Sequence, residues 1–125
     1  MLLIVSSVII VACAPSKRLG MTAEERKEAM DATLEWGRLA PFPASAQEIM
    51  LKAEGGLFSR AFSCQFKASK SELETWIKSS PGLLEAESTY SDGKTKYRIN
   101  PGGGANRAEV TIGDDGSVQI YTSWS

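Results

Sequence analysis

The chain has 125 residues, with 14 Lys plus Arg against 15 Asp plus Glu and a formal net charge of -1. That balance argues against a nucleic-acid-binding face, and the absence of histidine excludes Ser-His-Asp and Cys-His catalysis and the usual zinc-ligand sets. Once a leading apolar stretch is set aside, about 110 residues remain, enough for one domain that folds without disulfide or metal staples.

The leading stretch, Met1 to Ala14, carries no charged residue. It is shorter than the roughly 20 apolar residues of a bilayer span and has the length of a signal-peptide apolar region. No Lys or Arg precedes it. It ends in Ile10-Val11-Ala12-Cys13, which resembles the bacterial lipoprotein box: an aliphatic residue, a tolerant position, a small residue, then Cys. The resemblance implies cleavage before Cys13, a diacylglycerol on its thiol and an acylated new amine. Residues 1–12 are then a signal peptide, 13–21 a lipidated tether, and 22–125 one domain. The partner so implied is the membrane, reached through the anchor, and the location is the cell envelope. Ala14 lacks the Asp that marks inner-membrane retention in some lipoproteins, so the resemblance favours the outer membrane. Three other readings remain: ordinary signal-peptidase cleavage after Ala14, an uncleaved anchor, and a buried N-terminal strand.

Lys17 and Arg18 would lie near lipid headgroups, and Pro15, Ser16 and Gly20 break regular structure. Thr22 to Ala40 predicts a helix. Thr22-x-x-Glu25 has the form of a capping box, Ala29, Thr33, Trp36 and Ala40 share a face, and Pro41-Phe42-Pro43 stops it. Ser45 to Glu54 has helix formers, yet Ile49, Leu51 and Ala53 alternate with Met50, Lys52 and Glu54. Gly55-Gly56 then separates it from a second alternating run, which tips the reading to a hairpin. In that second run, Leu57 to Ala68, the residues Phe58, Arg60, Phe62, Cys64 and Phe66 share one face, which must be the core side. If Cys13 is lipidated, Cys64 has no disulfide partner and reads as a small buried apolar residue.

Arg60 is the odd member of this face. Either it sits near the sheet end with its guanidinium in water, or it pairs with a buried acid or lines a pocket. It is the one side chain whose placement hints at a ligand or partner contact.

Ser69 to Ser79 predicts a second helix with Leu73, Trp76 and Ile77 as its apolar stripe, ended by Ser80-Pro81-Gly82. Leu83 to Asp92 has no clear period. Three strands then follow, over 94–100, 107–113 and 117–124, with turn signals at Asp92-Gly93 and Asp115-Gly116. The expected fold is α+β: an antiparallel sheet of about five strands with two helices on one face, in the order α-β-β-α-β-β-β.

Pro101-Gly102-Gly103-Gly104-Ala105-Asn106 is glycine-rich but lacks the Gly-Lys-Ser/Thr of a phosphate loop and reads as a connection. Asp114-Asp115-Gly116 is too short for a calcium loop. No catalytic motif, metal set or cofactor motif emerges. Phe42-Pro43-x-Ser45-Ala46, Gly55-Gly56-x-Phe58-x-Arg60-x-Phe62 and the terminal Trp124-Ser125 resemble a group of small bacterial exported proteins that has no assigned activity.

The functional expectation is a non-enzymatic, lipid-anchored envelope module that contacts an envelope protein or polymer. Its polar sheet face would carry Ser63, Gln65, Lys96, Arg98, Gln119 and Tyr121. The alternatives are an enzyme built from carboxylates and Arg60, which requires a pocket with at least two acids beside that arginine, and an inhibitor or immunity-type protein.

Overall fold

The computed structural model describes residues 22–55 and 59–125. The signal peptide over 1–12, the tether over 13–21, Cys13 and Phe58 lie outside the described residues. The elements are α1 (Ala23–Gly37), β1 (Gln47–Gly55), β2 (Arg60–Lys67), α2 (Lys70–Ser79), α3 (Pro81–Leu84), β3 (Glu87–Ser91), β4 (Lys94–Ile99), β5 (Arg107–Gly113) and β6 (Ser117–Trp124). All strand pairings are antiparallel, in the order β1-β2-β6-β5-β4-β3. A hairpin (β1, β2) and a four-strand meander (β3 to β6) are joined by the α2–α3 segment, and β6 closes the sheet by pairing with β2.

The α+β class holds, but the expected five strands, two helices and order do not. The sheet has six strands, and a third helix follows the second. The additional strand is β3, whose five residues are all exposed. An edge strand open on both faces has no apolar alternation, so its sequence gives no period-two signal. The additional helix arises because Ser80-Pro81-Gly82 does more than end α2. Pro81 is pre-set for a first helical turn and opens α3.

The predicted capping box at α1 is present: Glu25 N–H donates to Thr22 Oγ1 at 3.0 Å, and Thr22 N–H donates to Glu25 Oε1 at 2.9 Å. The helix ends at Gly37, not Ala40. Arg38 turns left-handed (φ 51), Arg38 N–H donates to Glu35 O and Leu39 N–H donates to Leu34 O. This pair of bonds is a Schellman closure, which satisfies the last carbonyls before the prolines are reached. Arg38 is secured by its side chain, with Nε donating to Asn100 O at 3.0 Å and Nη2 to Glu85 Oε1 at 2.8 Å.

The helices cover the sheet face that carries Phe62, Cys64 and Phe66 on β2, Val118 and Ile120 on β6, Val110 on β5 and Ile99 on β4, all buried. Glu28 meets Arg60 at the start of β2, while the far end of α1 meets Asn100 after β4, so α1 runs across the strands. Trp36 packs on Phe62 with ring centroids 5.4 Å apart. Farther along β2, Phe66 meets Phe42 with ring centroids 5.1 Å apart and Trp76 in a T-shaped arrangement at 5.7 Å. The Trp76 indole N–H donates to Ala40 O at 2.9 Å, which anchors the 40–46 segment to α2. Thr33 and Thr122 are fully buried, and among the described residues their hydroxyls have no hydrogen-bond partner.

The two sheet edges differ. β1 carries a bulge between Gln47 and Met50, with Glu48 at φ 56. β3 is regular along its length. Among the described residues no helix is long and apolar enough to cross a membrane.

Candidate functional site

Strand alternation sends every second side chain to the face opposite the helices. The register brings these together in rows. One row reads Lys52, Ser63, Tyr121, Glu109, Arg98, Glu87 across β1, β2, β6, β5, β4 and β3. The next reads Met50, Gln65, Gln119, Thr111, Lys96, Thr89. The six polar residues expected to share a face do so, and among the described residues no helix packs over them. The sequence reading missed Glu109 and Thr111, although their alternation with Ala108, Val110 and Ile112 was there to be read.

Two shallow depressions lie in this face. One, of about 300 Å³, is lined by Ser63, Gln65, Lys96, Glu109, Thr111, Gln119 and Tyr121, with Cys64 and Ile120 beneath. The other, of about 280 Å³, holds Gln65, Thr111 and Gln119 in common with it and continues to Lys67, Lys94, Ser117, Met50 and Glu48. The two therefore form one trough.

Electrostatics in the trough are set by which charges are already matched. Arg107 directs both Nε (3.3 Å) and Nη2 (3.1 Å) at Glu109 Oε2 and lies 5.4 Å over the Tyr121 ring. Glu54 is held by Lys52 at 3.2 Å. Among the described residues, the ion pairs engage none of Lys94, Lys96 or Arg98. At the β5–β6 turn, Asp115 accepts from Ser117 Oγ at 2.7 Å and from Ser117 N–H at 3.0 Å. These bonds, with Lys67 nearby, hold the Asp115 carboxyl below its usual range.

Arg60 stands apart from the trough. It opens β2 on the helix-covered face. Its Nη2 lies 3.5 Å from Glu28 Oε1, its Cζ lies 5.3 Å from the Phe62 ring centroid, and its side chain is 42% exposed. The first of the two sequence readings describes this position, with the head at the sheet end in water, and the partner is an exposed acid. A depression beside Arg60 contains one carboxylate, Glu54. Glu54 projects to the opposite sheet face from Glu28, so the two acids do not converge on the guanidinium.

The glycine-rich connection is spent on packing. Gly102 N–H donates to Trp36 O at 2.9 Å, and a Cβ on Gly103 would stand 2.7 Å from Trp36 Cδ1 and 3.1 Å from the Glu35 carboxylate. An acid beside the loop and a backbone N–H already engaged make a poor phosphate cradle. Among the described residues no three His, Cys, Asp or Glu side chains are grouped to hold a metal ion. Cys64, fully buried under the trough, has its thiol pushed up to about 11 by burial, which makes it a poor nucleophile.

Comparison with protein-family models, with curated proteins and with solved structures finds no match to this chain.

Proposed function

We propose that the chain is a lipid-anchored envelope protein that works by binding, with the open sheet face as its contact surface. The anchoring rests on Ile10-Val11-Ala12-Cys13 after an apolar run of signal-peptide length. One acyl chain holds marginally and two or three hold firmly, so an anchored domain needs no membrane-binding surface of its own.

The observation that carries the binding reading is the trough. An antiparallel sheet can leave one face wet, but this one is concave, continuous across strands, and lined by amides, hydroxyls and, in Lys94 and Lys96, cations that form no ion pair among the described residues. Strand pairing fixes the backbone register from which these groups project, so their spacing is set before a partner arrives.

Two measurements test the reading. Intact mass of the protein from bacterial membranes should show a mature chain beginning at Cys13 with added acyl mass, lost in Cys13→Ser. A photo-crosslinking residue at Gln119 should yield adducts in cells, whereas the same group at Lys27, on the exposed face of α1, should not. Unmodified full-length protein in the soluble fraction overturns the anchor. Equal labelling from both positions overturns the contact surface.

A further inference from the structure

We propose that the ligand of the open sheet face is an acidic glycan, held by Lys94, Lys96 and Arg98. This inference rests on the binding reading above and names its ligand class.

Charge is the first argument. The chain as a whole is near neutral, but its charges are segregated. Over Ala23–Gly37, α1 carries Glu24, Glu25, Glu28, Asp31 and Glu35 against Arg26 and Lys27. The open sheet face carries Lys52, Lys67, Lys94, Lys96, Arg98 and Arg107 against Glu48, Glu54, Glu87 and Glu109. Lys94, Lys96 and Arg98 occupy alternate positions of β4, so they point the same way about 6.8 Å apart. They form a stripe along one wall of the trough, where Lys94 and Lys96 line its two halves. Three carboxylates lie near the stripe: Glu109, already chelated by Arg107, Glu87, cross-strand from Arg98, and Glu48, across the trough from Lys94. Among the described residues none of them forms an ion pair with the stripe. The stripe thus complements a chain bearing repeated negative charge.

The floor is the second argument. Ser63, Gln65, Thr111, Ser117 and Gln119 offer short groups that both donate and accept, which matches a surface of hydroxyls. Protein partners are gripped by a few buried aromatic or aliphatic anchors, whereas most of the side chains lining the trough are amides, hydroxyls and charged groups. Met50, at its edge, is a large apolar side chain that stands 61% exposed. An acidic peptide would satisfy the stripe but leave the amide and hydroxyl floor poorly used.

The test uses the full chain in detergent micelles and a fluorescent oligogalacturonate as the probe. Saturable binding at low salt is expected. It should weaken about tenfold or more in K94Q/K96Q/R98Q, stay unchanged in K27Q/K78Q on the helical layer, and resist competition by a neutral maltooligosaccharide. Q119E, which places a negative charge on the trough floor while leaving every cation, should weaken binding as well. Both variants are surface changes, and their urea midpoints are measured alongside.

Absence of binding, or binding that these variants leave intact, overturns the proposal. So does equal competition by poly-L-glutamate, which would mark an acidic peptide, or by vesicles of anionic phospholipid, which would mark a membrane surface. A protein adduct from the Gln119 crosslinker together with no oligogalacturonate binding overturns the glycan alone and leaves the contact surface standing.

Discussion

A Cβ placed on Gly82 would stand 2.0 Å from the carbonyl oxygen of Gly37. The first turn of α3 therefore rests directly on the end of α1, and Gly82 N–H donates to Arg38 O at 2.9 Å across the same contact. The obstacle is backbone at a helix terminus that cannot swing aside. Gly82→Ala should lower stability by about 3 kcal/mol, the upper part of the range for overpacking. Gly104 provides the comparison. Nothing lies within 4 Å of its Cβ position, but its φ is +83, so Gly104→Ala should cost only the left-handed penalty of about 1 kcal/mol. Urea midpoints of the two variants should differ in that order, and a Gly82→Ala protein as stable as Gly104→Ala would show that the contact yields.

Arg38 does two things that can be separated. Its backbone closes α1 in a conformation glycine adopts freely, and its side chain ties that end to Asn100 and Glu85. The Glu85 carboxylate is 63% exposed, so that ion pair is worth about 0.5 kcal/mol at most, whereas the bond to the Asn100 carbonyl is charge-assisted and worth about 1.5 kcal/mol. Arg38→Ala loses both and keeps the strain, for a cost of about 2 kcal/mol. Arg38→Gly loses both and relieves the strain, so it should be the more stable of the two by about 1 kcal/mol. Thermal denaturation of the pair gives the difference directly.

Those two residues also mark where the sequence stops being readable. The start of α1 after Thr22, the hairpin of β1 and β2, the aromatic strand and the turns at Asp92 and Asp115 are written in local terms: a cap, an alternation, a turn dipeptide. The polar face of the trough follows from the same alternation, since Gln65 and Gln119 oppose the core residues on either side of them. What is not local is not legible. β3 has no buried face, so it leaves no periodic trace. The pairing of β6 with β2 depends on a closure between segments far apart in the chain. Arg38, an arginine where glycine is the usual helix-ending residue, depends on Asn100 and Glu85, neither of which is near it in sequence. Arg60 was set on the core face by alternation, but its exposure is decided by where the sheet ends.

Thr122 lies in the middle of β6, fully buried, with no partner for its hydroxyl among the described residues. A buried hydroxyl without a partner costs about 1–3 kcal/mol. Thr122→Val keeps the shape and the β-branching and removes the polar atom, so it should raise stability by about 1 kcal/mol. A drop in the urea midpoint instead would reveal a water or side chain that satisfies the hydroxyl.

Glu72 fastens the 40–46 segment to α2. Its Oε1 accepts from Ser45 N–H at 2.8 Å, and Ser45 Oγ in turn accepts from Ser69 N–H at 3.1 Å. These interactions with Ser45 hold the Glu72 carboxyl below its usual range. The sign follows: the folded carboxyl binds its proton less readily than the unfolded one, so the contribution is present above the unfolded pKa of 4.5 and is lost as pH falls through the lower folded value. Hydrogen exchange should show the Ser45 amide protected near neutral pH and less so in acid. In Glu72→Gln, which keeps an acceptor but no charge, protection should be weaker and should not change across the same range.

Cys64 gives the opposite sign at the other end of the scale. Burial pushes its thiol from the ordinary 9.0 up to about 11, because a thiolate there would have no water and only core neighbours such as Phe66 and Ile120. The folded protein keeps this proton longer than the unfolded chain does. The contribution is thus complete below pH 9 and is lost as pH rises toward 11, with a limiting slope of about 1.4 kcal/mol per pH unit. Half-buried Tyr97 acts in the same direction, its phenol also raised by burial from the ordinary 10.0, so wild type must be compared with Cys64→Ala. The variant should be less stable near neutral pH by about 1 kcal/mol for the lost sulfur contacts, yet its urea midpoint should fall less steeply between pH 9 and 11, so the two curves should converge and then cross. A thiol reagent at pH 8 should label Cys64 slowly in the native protein and quickly in urea. Parallel stability curves, or fast native labelling, would place the thiol in contact with solvent and contradict the packing of β2 beneath the helices.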